Sequence, residues 1–190
     1  MKLPQELQPL LEAVQALQRL IDGFEQGMII GGVAVGLLSK PRFTADADAV
    51  IFLSIVELEA LVQAAESEGF APRYSNLREF ARAHRLLAFV HQSSGVHVDI
   101  SLGAMPFEEE AIQRSQLMDV GGLKVRLPSV EDLVILKAVA HRPKDLADIE
   151  TLVEFHPELD RVRVEDWVRQ FAKVMEMPEV WDDLAPLLKK

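Results

Sequence analysis

Three aspartates have the residue type and spacing that suit metal chemistry. Asp46 and Asp48 stand two residues apart in the run ADADAVIFLS, which alternates small or polar residues with apolar ones and predicts a strand. Side chains two positions apart on a strand point to the same face, and Asp99 lies on the polar face of a second predicted strand. Crowded carboxylates repel each other, and a divalent cation relieves that repulsion. Asp46, Asp48 and Asp99 are therefore predicted to hold one or two Mg²⁺ (or Mn²⁺) ions.

Two glycines upstream add a candidate phosphate site. Gly31 and Gly32 follow a short apolar run and precede a predicted helix. The first backbone N–H groups of a helix have no partner within it, and glycine lets a phosphate approach the backbone closely. An isolated aspartate pair is more often solvated or capping than metal-binding. The glycines are what favour a joint site for a nucleotide and its metal.

The helices and strands that the sequence predicts around these residues are typical of an α+β fold. Apolar residues from Leu7 to Ile21 recur at three- and four-residue steps, which indicates an amphipathic helix. Two strand-like runs on either side of Ser93-Ser94-Gly95 predict a hairpin, and Gly121-Gly122 marks a second one. We therefore expect a mixed, mostly hairpin-built sheet flanked by helices.

The C-terminal third of the sequence predicts helices alone. Ser129 followed by Glu131 and Asp132 is typical of a capped helix start with an acidic first turn. Prolines separate this helix from three more, expected at Asp145–Phe155, Val164–Met175 and Pro178–Leu188. The predicted organisation is an α/β core over residues 1–127, with the N-terminal helix, and a helical region over residues 128–190 packed on it.

Composition excludes several classes of protein. The 190 residues carry a formal net charge of −10 and no cysteine, so disulfides, thiolate nucleophiles and cysteine-held metal clusters are excluded. An acidic chain is also a poor general binder of the nucleic-acid backbone. The longest apolar stretch is too short for a bilayer crossing and no segment resembles a targeting signal, so we expect a cytoplasmic protein that does not bind membranes.

The motifs together resemble a known superfamily. IIGGVAVGLLSKPRFTADADAVI resembles the signature of nucleotidyltransferases typified by DNA polymerase β, and VHVDIS supplies the third acid of that signature. LPSVEDLVILKAVAHRPKDLADIETL is similar to the helical segment that follows the catalytic sheet in small bacterial and archaeal members. Those members include AbiEii-type toxin nucleotidyltransferases and antibiotic nucleotidyltransferases. The matched pieces lie between about residues 28 and 153.

The resemblance implies a nucleotidyltransferase-like fold and a role for each matched acid and glycine. Asp46 and Asp48 would bind the metals that hold the triphosphate. Asp99 would help hold the catalytic metal and favour deprotonation of an acceptor hydroxyl. The Gly31-Gly32 turn would contact the β- and γ-phosphates.

Further matched positions would contact the nucleotide, and ordinary alternatives stay open for Arg42 and Lys137. Arg42 and Thr44 lie just before the aspartate pair, and Arg42 could equally pair with a nearby acid. Lys137 would steady phosphate charge, or its ammonium could simply reach solvent from an apolar helix. Lys144, Asp145 and Asp148 could support the site or form an ordinary helix start.

Two functions remain open at this point. The first is a Mg²⁺-dependent nucleotidyltransferase that moves a nucleoside monophosphate from an NTP to a hydroxyl of RNA, a small molecule or a protein. The alternative is a non-catalytic nucleotide-binding or protein-interaction module that keeps the fold. A toxin role would imply an antitoxin partner, and the apolar helix face at Leu7–Ile21 could support a homodimer.

The basic stretch Arg73–His91 is either an acceptor-facing patch for an anionic substrate or a solvated helix face.

Overall fold

The computed structural model describes residues 7–41 and 44–189. The strands are β1 (Gly27–Ile30), β2 (Asp46–Phe52), β3 (Phe70–Pro72), β4 (Leu86–His91), β5 (His97–Gly103), β6 (Gln116–Val120) and β7 (Leu123–Leu127). The helices are α1 (Gln8–Phe24), α2 (Gly31–Leu38), α3 (Leu58–Ser67), α4 (Leu77–His84), α5 (Pro106–Arg114), α6 (Val130–Ala140), α7 (Pro143–Phe155), α8 (Arg161–Met175) and α9 (Glu179–Leu184). Short 3-10 turns cover Ile55–Glu57 and Leu187–Lys189.

A five-stranded mixed sheet in the order β1-β2-β5-β4-β3 forms the centre of the first part of the chain. The β2–β5 pair is parallel, and the β1–β2, β4–β5 and β3–β4 pairs are antiparallel. A parallel pair needs a long crossover, and the chain between β2 and β5 supplies it with α3, β3, α4 and β4. The predicted α+β class with a mixed sheet is confirmed.

Both predicted hairpins are present. β4 and β5 pair around Ser93-Ser94-Gly95, and β6 and β7 form a separate two-stranded sheet around Gly121-Gly122. The structure adds β3, α4 and α5 to the elements that periodicity predicts. β3 has three residues and α4 buries two of its eight residues, Leu77 and Ala81, so neither produces a readable pattern.

The long N-terminal helix packs against this part of the chain, as its apolar spacing predicts. Val14, Leu17, Leu20 and Ile21 of α1 are buried, and α1 contacts β1, β2 and β7. The buried Gln18 interrupts this apolar face. Its side-chain oxygen accepts a hydrogen bond from the backbone N–H of Arg126 on β7 at 2.8 Å, so the polar group is satisfied.

The contacts divide the chain into two compact units: Met1–Val33 with Phe43–Pro128, and Ala34–Arg42 with Ser129–Lys190. In the second unit, the Ser129 side chain accepts from the backbone N–H of Asp132 at 3.2 Å, which confirms the predicted helix cap. Within this unit, His156 Nε2 lies 2.6 Å from the Leu38 carbonyl oxygen. The predicted boundary at 127/128 stays a prediction about domains.

Several helix boundaries in the second unit differ from the prediction, among them the start of α8, which lies at Arg161 rather than at Val164. Helix α7 begins at Pro143, before the expected Asp145, because proline is well tolerated in the first turn of a helix. Helix α9 ends at Leu184, whereas the prediction extended to Leu188. Pro186 follows, and its missing N–H and rigid ring interrupt the helix before the terminal 3-10 turn.

Across the described residues no helix combines the length and apolarity that a membrane crossing requires.

Candidate functional site

The parallel pairing of β2 and β5 brings two of the predicted acids side by side. Asp48 is the register partner of Asp99, and Asp46 is the partner of His97. Register partners on adjacent strands share a face of the sheet, so Asp46, Asp48 and Asp99 project from the same face. On the opposite face Ala47, Ala49 and Ile51 are fully buried. The alternation seen in the sequence therefore separates a carboxylate face from a core face.

Gly31 lies directly against the carboxylate of Asp48. Ile30, the last residue of β1, is the register partner of Asp48, so the chain turns into α2 beside that side chain. A Cβ atom at position 31 would lie 2.0 Å from Asp48 Oδ2, and Gly31 has a φ of +66°, in the left-handed region. Both features require glycine at this position. Gly32 follows, buried, in the first turn of α2.

An arginine that the sequence analysis did not assign to the site holds the third acid. Arg73 Nη2 forms an ion pair with Asp99 Oδ1, and both side chains are partly exposed. Arg73 Nε is buried and has no hydrogen-bond partner among the described residues. The available sequence signal was the basic stretch beginning at Arg73. Nothing in the spacing pairs that arginine with a residue 26 positions away.

Of the two residues predicted to contact the nucleotide just before β2, the structure describes Thr44. The Thr44 hydroxyl donates to the backbone carbonyl of Asp46 at 3.2 Å, so Thr44 lies at the start of the strand that carries the aspartate pair. Arg42 lies outside the described residues, and its contact with a nucleotide stays a prediction.

Lys137 lies in the second unit and is buried with two carboxylates. Its Nζ donates to Asp145 Oδ1 and to Asp148 Oδ2, each at 2.8 Å, and Arg142 Nε also contacts Asp145 at 2.5 Å. Burial alone would raise the pKa of Asp145, but the hydrogen bonds from Arg142 and then Lys137 outweigh it, and that pKa lies below its usual value. Lys137 does not reach solvent, so the alternative that its ammonium is solvated is wrong. Its predicted contact with phosphate stays a prediction.

The acids on the sheet face fit a magnesium ion by type. Carboxylate oxygens are the ligands that Mg²⁺ prefers, and the paired strands place Asp48 next to Asp99 beside the glycine turn. Within residues 7–41 and 44–189, no three acidic or histidine side chains are drawn together closely enough to form a metal-binding group. One oxygen of Asp99 is engaged by Arg73 in this arrangement.

Three of the four arginines in the basic stretch Arg73–His91 are paired or hydrogen-bonded within the chain. Arg73 pairs with Asp99, and Arg78 forms two 2.7 Å contacts with Glu59. Arg85 donates to the backbone carbonyls of Leu102 and Gly103 at 2.7 and 2.8 Å. These three arginines therefore contribute little free positive charge, whereas Arg82, the fourth arginine of the stretch, is exposed.

Comparison with known families and structures gives one match over most of the chain. The family described as "Nucleotidyltransferase of unknown function (DUF6036)" matches residues 5–179. A search of the curated proteins found no match.

Solved structures similar to this chain share its fold at low identity. An antigenic nucleotidyltransferase-like protein from Paracoccidioides brasiliensis is 18% identical, with 98% of this chain and 94% of that chain covered and a TM-score of 0.58. The antibiotic-resistance factor ANT(2'')-Ia is 17% identical, with 93% and 97% covered and a TM-score of 0.60. The fold of this chain is therefore nucleotidyltransferase-like, as the sequence motifs predicted.

Proposed function

Because the chain belongs to the DUF6036 family of nucleotidyltransferases, we propose that it moves a nucleoside monophosphate from an NTP to an acceptor hydroxyl, with Mg²⁺ or Mn²⁺ held by Asp46, Asp48 and Asp99. Nucleotidyl transfer in general follows from the family. The metal, the residues that hold it and the acceptor are the proposal. The observation that carries it is the register of β2 and β5, which pairs Asp48 with Asp99 beside Gly31.

Each residue of the carboxylate face has a task in this reaction. Asp46 and Asp48 would hold the cation against the triphosphate, and Asp99 would hold it while accepting the proton of the acceptor hydroxyl. A bound divalent cation would supply charge neutralisation at the transferring phosphoryl group. The oxygen–phosphorus bond to the acceptor forms as the bond to pyrophosphate breaks, and pyrophosphate leaves.

The glycine turn and the flanking residues would bind the rest of the nucleotide. The backbone at Gly31 and Gly32 would face the β- and γ-phosphates at the start of α2, where a helix favours anions. Thr44 and Arg42 precede the metal strand and are proposed to contact the nucleotide. The ammonium of Lys137 has three donors, of which the contacts to Asp145 and Asp148 use two, so a phosphate contact would use the third.

A small molecule is the acceptor that the charges favour over RNA. The net charge is −10, and Arg73, Arg78 and Arg85 are paired or hydrogen-bonded within the chain, which leaves Arg82 as the exposed arginine of the basic stretch. An RNA surface needs free cationic side chains to offset phosphate charge. The similarity in fold to the antibiotic-resistance factor ANT(2'')-Ia agrees with a small acceptor.

The test is transfer of label from each α-³²P-labelled NTP in the presence of Mg²⁺ or Mn²⁺. The acceptors are a pool of small hydroxyl compounds and total cellular RNA in separate reactions. We expect labelled small molecules, and no transfer by the double variant Asp46→Ala/Asp48→Ala. Asp166→Ala removes an exposed aspartate of α8 and serves as the matched control with full activity. Transfer that survives the double change would contradict the assignment, and labelled RNA would overturn the choice of acceptor.

The non-catalytic alternative predicts a different pair of results. A nucleotide-binding module would bind NTP with metal in calorimetry and transfer no label to any acceptor. An antitoxin partner and a homodimer also stay predictions. Co-purification with the products of adjacent genes tests the first, and sedimentation of the purified chain tests the second.

A further inference from the structure

The ion pair between Arg73 and Asp99 joins the carboxylate face to an arginine that follows β3, two strands away from β5. β3 ends at Pro72, and the backbone N–H of Arg73 donates to the Ala88 carbonyl on β4 at 3.0 Å. Ala88 is the register partner of Asp99 on β5. Arg73, Ala88 and Asp99 therefore lie in one row across β3, β4 and β5, and the arginine reaches Asp99 across Ala88.

The small side chain of Ala88 makes that reach possible. Strands lie about 4.8 Å apart, so the backbones of Arg73 and Asp99 are separated by about 10 Å, which a long side chain can span. Register partners share a face, so a bulky residue at position 88 would stand between the two charged groups. Ala88 is 1% exposed, so the space above it is filled.

The hydrogen bonds of Arg73 are incomplete in this arrangement. Nη2 is paired with Asp99, while the buried Nε has no partner among the described residues. A buried donor without a partner costs free energy, so packing and the charge of Asp99 must hold the guanidinium there. The Tyr74 ring, centred 5.9 Å from the guanidinium carbon, supports it from one side.

We propose that Arg73 is a positioning residue that holds the Asp99 carboxylate when no divalent cation is bound, and that the cation and Arg73 compete for it. The inference rests on the proposed metal role of Asp99. Without a cation, the Asp99 carboxylate faces the like charge of its register partner Asp48, and the guanidinium supplies an opposite charge that stabilises it. Metal binding must then weaken the ion pair, which lowers the affinity of the free enzyme for the cation.

The test measures Mn²⁺ binding to the full chain without nucleotide, by electron paramagnetic resonance. Arg73→Met removes the charge and keeps an unbranched side chain, and Arg78→Met is the control that removes an arginine paired elsewhere. We expect the dissociation constant for Mn²⁺ to fall about tenfold in Arg73→Met and to stay unchanged in Arg78→Met, since charge-assisted hydrogen bonds are among the stronger ones.

The same measurement in an Asp99→Asn background separates competition from simple charge repulsion. Competition requires Asp99, so in this background Arg73→Met should have no effect on Mn²⁺ affinity. Long-range repulsion by Arg73 would not require Asp99. A tighter Mn²⁺ affinity in the Arg73→Met/Asp99→Asn protein than in Asp99→Asn would therefore overturn the proposal. Wild-type binding that depends on Asp46 and Asp48 but does not respond to Arg73→Met would also overturn it and leave the proposed function intact. An absence of Mn²⁺ binding in both proteins would refute the metal site itself.

A measurement on the wild-type protein guards against a variant that fails to fold. The buried Nε–H of Arg73 should exchange slowly with solvent in nuclear magnetic resonance spectra. Adding Mg²⁺ should accelerate that exchange, because the guanidinium loses its carboxylate partner. Unchanged exchange at saturating Mg²⁺ would contradict the competition.

Discussion

The carboxylate of Asp48 determines which residue can stand at position 31. Its Oδ2 atom occupies the space that any Cβ at this position would need, and the backbone of Gly31 is left-handed. Gly95 has a similar φ of +71° but no atom within 4 Å of its missing Cβ. Comparing a substitution at Gly31 with the same substitution at Gly95 therefore separates the free-energy cost of backbone strain from the cost of displacing Asp48.

Gly31→Ala should inactivate the enzyme, while Gly95→Ala should only destabilise it. Both changes strain a left-handed backbone, at about 1 kcal/mol or slightly more. Only the first pushes Asp48 aside, and a displacement of about 1 Å in a catalytic group costs about 100-fold in rate. The measurement is label transfer at saturating NTP, with thermal unfolding of both variants. Equal activity in the two variants would contradict a catalytic role for Asp48.

At the scale of elements, α6 and α7 are joined through a buried ion cluster. Lys137 of α6 contacts Asp145 and Asp148 of α7, and Asp145 is fully buried. The α7 capping box uses the same residue, because Asp145 also accepts from the backbone N–H of Arg142 at 3.3 Å. Asp145 therefore caps the start of α7 and also binds Lys137 of α6.

Asp145→Asn should lower the free energy of unfolding at pH 7 by about 2–3 kcal/mol, because hydrogen bonds between charged groups are lost. The pKa of Asp145 is depressed in the folded protein, so its contribution is present above the usual value of 3.8 and disappears as the pH falls through the lower, folded value. Urea unfolding between pH 3 and 7 should show a constant difference between the variant and the wild type above pH 3.8 that narrows as the pH falls below it. Asp166→Asn, on an exposed side chain, should track the wild type throughout. A difference that does not narrow at all below pH 3.8 would contradict the assigned ionisation.

At the scale of the whole molecule, the proposed metal ligands are part of a strongly acidic chain. The chain carries a net charge of −10, and Asp46, Asp48 and Asp99 share one face of the sheet. A ligand that binds only the folded chain must stabilise it by mass action. Binding of metal and nucleotide should therefore be visible in the unfolding of the full chain before any acceptor is known.

Mg²⁺ with the preferred NTP, at 100 times its dissociation constant, should raise the free energy of unfolding by about 2.7 kcal/mol. For a chain of this size the corresponding rise in Tm is about 5–10 °C. Differential scanning calorimetry measures it, and excess EDTA should reverse it. The Asp46→Ala/Asp48→Ala protein should show no rise. A full rise in that variant would place nucleotide binding elsewhere.

The local sequence determined the features that depend on short spacing. The two-residue spacing of Asp46 and Asp48 fixed their common face, and Ser129 with its acidic neighbours fixed the start of a helix. The glycine pair marked the turn into α2. These patterns follow from the periods of strands and helices, which act over a few residues.

Only the tertiary structure decided the features that join distant segments. The pairing of Asp48 with Asp99 needs the parallel β2–β5 contact across a crossover of more than forty residues. The ion pair of Arg73 with Asp99 needs three strands in one row and a small residue at position 88. Strand order and register arise from the packing of the whole sheet, and no local period encodes them. The sequence by itself thus determined which acids could act, whereas the fold decided that an arginine holds one of them.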